Sequence, residues 1–143
     1  MAHSLITFSD RSCLMPDADV LLVAHITRDV ASRFQLTHEP TANVRALLDG
    51  WRTLLDSYGA GAIDLGFDAH IRNQDDRAAL IDVFDAAQTF VRSSGPALSG
   101  TYLNGLLNAP GILSFTNDYP VNLVLHAFES IKGLIVNGTR EPS

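Results

Sequence analysis

Between Val121 and Ile135 the apolar residues Val121, Val124, Leu125, Phe128, Ile131, Leu134 and Ile135 follow a three-and-four spacing. That spacing is the period of an α-helix. The positions also spread over most of a helix's circumference. Such a helix cannot rest on a surface by one face, so other elements must surround it. No other feature of the chain limits the architecture as strongly. The reading is a long central helix from about Asp118 to Val136. Asp118 is its cap, Pro120 lies in its first turn and Gly138 is its stop.

The segments available to surround it are helical by the same test. One runs from about Asp17 to Phe34, with Asp17 and Asp19 suited to its positive end and Arg28 and Arg33 to its negative end. Its early residues, "VLLVAHI", are apolar on nearly every side. A second runs from about Thr41 to Tyr58 on the stripe Val44, Leu48, Trp51, Leu55 and Tyr58, and Gly59 stops it. A third begins near Asn73 or Gln74 and ends at "SSGP". Its apolar face is Leu80, Val83, Phe84, Ala87 and Val91, and Asp75, Asp82 and Asp85 fall on the opposite side. A short helix spans about Thr101 to Leu107, before a turn at Pro110-Gly111.

Four long helices and one short one, without a hairpin signal, predict an all-α bundle. Residues 1–143 form one domain in this reading, with 1–16 an extended arm and 137–143 a flexible tail. "SLITF" and "GAIDLGF" are the two stretches that would most readily become strands instead, the first giving a short strand near the N-terminus.

Charge narrows the partners. The net charge of −6 argues against a general phosphate-backbone binder and favours a basic partner. Only 18% of residues are charged, below the usual quarter or so, which leaves much of the surface uncharged or covered. One cysteine, Cys13, excludes an internal disulfide and a cysteine-based zinc site. The N-terminus lacks a basic region and a long apolar run, and the longest purely apolar run, Val20 to Ala24, is too short for a bilayer. The expected compartment is therefore the cytoplasm, without membrane contact.

The chemical motifs mostly fail on spacing. Gly59, Gly61 and Gly66 follow a helix, lack the lysine of a phosphate loop and stand near Asp64 and Asp68, which would repel phosphate. Asp64, Asp68 and His70 do not match a calcium loop, because Leu65 and Phe67 intrude and Asp75 replaces its glutamate. His126 and Glu129 give H-x-x-E, but a di-iron bundle needs more glutamates than the three present. His25 and His126 each lie in an apolar run and are candidates to line a ligand pocket. Cys13 has no histidine placed beside it by a motif. Trp51 sits on a core stripe. No catalytic residue, metal ligand or cofactor is assigned, and the chain is not expected to be an enzyme.

Two features remain. Between Asp64 and Asp85 six aspartates face only Arg72 and Arg77. From Thr101 to Phe115 the chain is free of charge, with Tyr102, Asn104 and Asn108 among leucines and glycines. The expected partner-binding residues are Asp64, Asp68, Asp75, Asp76, Asp82, Asp85, Tyr102 and Asn104. Carboxylates imitate phosphates and steer association with basic proteins. This suits an immunity or antitoxin protein that occludes the active site of a basic, nuclease-type toxin. The alternatives are a regulatory helical domain with a small-molecule pocket near His25 and His126, and a structural homo-oligomer joined through Thr101–Phe115.

Overall fold

The computed structural model describes residues 3–33, 39–52, 63–107 and 118–137. These residues hold six helices and two small antiparallel strand pairs. In chain order the elements are β1 (His3–Phe8), β2 (Arg11–Pro16), α1 (Asp17–Arg33), α2 (Ala42–Trp51), α3 (Phe67–His70) and α4 (Gln74–Ser93). They are followed by β3 (Ala97–Leu98), α5 (Gly100–Leu107), β4 (Tyr119–Pro120) and α6 (Val121–Asn137). The fold is mainly helical, but the all-α expectation is wrong.

The correction is largest at the N-terminus. Residues 3–16 are not a free arm but a hairpin, with Phe8 opposite Arg11 and His3 opposite Pro16. Alternation in β1 sends Ser4, Ile6 and Phe8 inward, and all three are buried. The two-residue loop is Ser9-Asp10. Ser9 takes a φ of 59°, a left-handed conformation that hairpin loops usually give to glycine. The Ser9 N–H donates to Asp68 Oδ1 at 2.8 Å, which ties the turn to α3. At the other end the Ser4 hydroxyl donates to Asp17 Oδ1 at 2.6 Å and accepts from the Ile63 N–H at 3.0 Å.

The second correction is the start of α6. Asp118 is not its cap. Its Oδ1 accepts from the Gly100 N–H at 3.2 Å, while Tyr119 and Pro120 pair with Leu98 and Ala97. Pro120 therefore precedes the helix, which opens at Val121, whose N–H reaches the Pro96 carbonyl at 3.0 Å. The expected continuation of α2 to Tyr58, the Gly59 stop, the Pro110-Gly111 turn, residues 108–115 and the tail after Asn137 lie outside the described residues.

The core follows the helical stripes. A chain of aromatic contacts crosses it: Phe8 on Phe67, Phe67 on Trp51, Trp51 stacked on Phe84, and Phe84 edge-on to Phe128. Each link joins a different element, from β1 through α3, α2 and α4 to α6. Ring centroids of 6.2–6.4 Å lie within the favourable range for such pairs. Trp51 is buried, as its place on the stripe predicts, and its indole N–H is satisfied by the Leu65 carbonyl at 2.9 Å. The α4–α6 contact is bordered by polar pairs, Gln88 with Glu129 at 2.7 Å and Asp85 with Lys132.

Candidate functional site

The expected partner-binding aspartates divide by what their carboxylates touch. Asp64 Oδ1 accepts from the Gly66 N–H at 2.8 Å, which closes a small turn before α3. Gly66 there has a φ of 74°, a value that suits glycine. Asp68 holds the hairpin turn. Asp85 pairs with Lys132. Asp75 is exposed and Asp82 half-buried on the outer side of α4.

Asp76 differs from all of these. Only 2% of it is exposed. The Thr41 hydroxyl donates to Oδ1 at 2.6 Å, the Asn43 amide to Oδ2 at 2.9 Å and the Arg72 N–H to Oδ2 at 3.0 Å. Thr41 is itself the cap of α2, accepting from the Val44 N–H at 3.2 Å. Asn73 caps α4 by accepting from the Asp76 N–H at 2.8 Å. One carboxylate thus sits where two helix N-termini meet, and both helix dipoles favour its charge. Burial works to raise its pKa, but the hydrogen bonds from Thr41, Asn43 and the backbone outweigh it and hold the carboxyl below its ordinary value. Asp76 is a structural group and is withdrawn from any docking surface.

Tyr102 is half-buried, and its hydroxyl donates to Asp29 Oδ2 at 2.9 Å. Burial, then the Asp29 carboxylate, raises its pKa well above the ordinary tyrosine value. Tyr119 is bound to Asp19 at 2.8 Å in the same manner, and burial and that bond push it up to about 12. Asn104 is exposed on α5.

The two histidines part company. His25 is buried in α1, whereas His126 faces outward from α6. The cavity that His25 lines is completed by Arg28, Asp29, Ser32, Gly105 and Leu106. His126 is not among the residues that line this cavity. Cys13 is half-buried in β2, on the inner face of the hairpin opposite Ile6, and burial raises its thiol pKa, which lowers its reactivity at neutral pH. Among the described residues no group of three or more His, Cys, Asp or Glu is arranged to hold a metal ion. No helix among them is long and apolar enough to cross a membrane.

The surface that sequence reasoning missed is the outer face of the hairpin. Leu5 and Leu14 are directly opposed across the two strands and are 57% and 67% exposed. The same face carries His3, Thr7, Ser12 and Pro16, so it has no Asp, Glu, Lys or Arg. Among the described residues β1 and β2 pair only with each other. The period-two alternation of "SLITF" was the available signal: once Ile6 and Phe8 point inward, Leu5 must point outward. At the turn end of this ribbon Asp10 is in the loop, Asp68 bonds to Ser9, Arg11 opens β2 and the Arg77 guanidinium lies 5.5 Å over the Phe8 ring, so both signs of charge meet there.

Comparison with known proteins finds no family model, no curated relative and no solved structure that matches this chain.

Proposed function

We propose that this chain is a small acidic protein-binding module. It docks a basic protein through the outer face of its hairpin, and the chain's excess of carboxylates steers the approach. The observation that carries this reading is the exposed Leu5–Leu14 pair on a hairpin face without Asp, Glu, Lys or Arg. Single exposed leucines are ordinary, but two in register make a continuous apolar patch of the kind found at the centre of interfaces. The net charge of −6 supplies the long-range attraction to a basic partner. A toxin-neutralising immunity protein combines these features: apolar contact for affinity, and carboxylates that fill a groove built for phosphates.

The test first asks whether the gene beside this one encodes a basic toxic domain, and uses that domain as the probe; a neighbour of any other kind counts against the reading. Co-expression should protect cells from the toxic domain, and the purified pair should associate more slowly as salt rises. Leu5→Asp with Leu14→Asp should abolish the complex. Asp75→Lys, Asp82→Lys and Asp85→Lys together should slow association. Undiminished toxicity, or binding indifferent to both sets of changes, overturns the reading. So does a stable dimer of this chain that needs Leu5 and Leu14, because the patch would then be a self-interface.

A further inference from the structure

One stripe of α1 is lined by cavities on both sides. His25, Arg28 and Ser32 are spaced by three and four residues and share a helix face. Towards α2 a cavity of about 300 Å³ opens between this stripe and a wall that includes Pro40, Arg45, Leu48 and Asp49. Towards α5 a second cavity, about 260 Å³, is closed by Gly105 and Leu106. Arg28 lines both.

The charges around Arg28 are largely committed elsewhere. Asp29 receives two hydrogen bonds from Arg33, at 2.9 and 2.6 Å, and a third from Tyr102. Glu39 is paired with Arg45 at 3.2 Å. The half-buried Arg28 guanidinium reaches the His25 Nδ1 at 3.5 Å, the outer edge of hydrogen bonding. Among the described residues no carboxylate lies within 4.0 Å of it. Burial first, and then the nearby charge of Arg52, disfavour its cationic form and lower its pKa, while Asp49 and Asp29 act the other way. A guanidinium in this state is satisfied best by a planar oxyanion accepting two parallel N–H bonds. Ala31, Pro40 and Leu48 offer apolar surface beside it. The Ser32 hydroxyl already donates to the Asp29 carbonyl at 2.9 Å, so recognition rests on Arg28.

We propose that the notch between α1 and α2 binds a small organic carboxylate with an apolar body, its carboxylate held by Arg28 and its body against Leu48 and Pro40. A cavity of about 300 Å³ is the lower end of the range that small molecules occupy. The site is independent of the hairpin surface, and its test needs no protein partner.

Benzoate, acetate and inorganic phosphate are titrated separately into the full chain, followed by amide chemical shifts and by melting temperature. Benzoate should bind saturably, move amides of α1 and α2, and raise the melting temperature, with acetate weaker because it lacks the apolar body. Arg28→Gln should weaken benzoate about tenfold or more, the size of loss expected when a charged hydrogen-bond partner is removed. Arg28→Lys, which keeps the charge and loses the fork, should weaken it less. Three results overturn the proposal: an equal response to phosphate, benzoate binding unchanged in Arg28→Gln, or binding that appears only in Asp49→Asn. In the last case Arg28 belongs to Asp49 and not to a ligand.

Discussion

The junction at Asp76 and the outer face of the hairpin break the usual rule of burial in opposite directions. At the first, a carboxylate is 2% exposed; at the second, Leu5 and Leu14 are 57% and 67% exposed. The difference is in what compensates each. Asp76 is answered inside the chain by Thr41, Asn43, the Arg72 backbone and two helix N-termini. Buried polar groups are nearly always satisfied in this way, and their purpose is read from their partners. The leucines face outward on a ribbon that pairs with no further strand among the described residues. An unusual group explained from within belongs to the fold. One that is not explained from within is where the proposed docking surface lies.

The largest expected effect lies at the junction. Asp76→Ala removes the acceptor of three hydrogen bonds to a charged group and should cost about 3 kcal/mol of stability, read from urea denaturation. The neighbouring Asp75→Ala should cost only a few tenths, since that side chain is exposed at a helix start. Equal losses would erase the distinction between the two aspartates. Acid sharpens it further. The folded pKa of Asp76 lies below the unfolded value of about 3.9. Its stabilisation is therefore complete above about pH 4 and is lost as pH falls through the lower, folded value. The native chain should lose stability over that window, and Asp76→Ala should show a shallower loss.

The sequence made some of this legible. The start of α4 near Asn73, its end at "SSGP", the deep burial of the early residues of α1 and the burial of Trp51 all follow from periodicity and helix-end chemistry, which act locally. The hairpin did not declare itself, because its loop is Ser9-Asp10 with no glycine. Ser9 is held in its left-handed conformation beside an acceptor 59 residues away, Asp68. No local rule can see that bond. Nor can composition tell Asp75 from Asp76: they are adjacent and chemically identical, and only the arrival of Thr41 and Asn43 decides which is buried. His126 was misjudged for a related reason. α6 is apolar round most of its circumference, yet Asn122, Leu123, His126 and Glu129 are on its exposed side.

An intermediate effect tests the link between α1 and α5. Tyr102→Phe removes one hydrogen bond to Asp29 but leaves the two from Arg33, so it should cost about 1 kcal/mol in denaturation. A smaller effect of opposite sign is expected at the hairpin loop. Ser9→Gly relieves the left-handed strain and keeps the N–H that bonds to Asp68, so the melting temperature should rise slightly, by the equivalent of about 0.5 kcal/mol. A fall would mean that the Ser9 side chain contributes more to the turn than its backbone strain costs.

The smallest effect on stability is expected where the effect on binding is largest. Leu5→Ser with Leu14→Ser changes two side chains that stand mostly in water, so the denaturation midpoint should move by no more than about 0.5 kcal/mol. Their cross-strand contact contributes a few tenths at most in that setting. If the midpoint instead falls by 2 kcal/mol or so, as on losing buried leucine surface, the face is covered by the chain itself. The contrast with Asp76 would then vanish, because both anomalies would be explained from within. If stability holds while binding to a basic protein partner is lost, the two regions separate cleanly: a carboxylate that the fold requires, and a pair of leucines that the fold can do without.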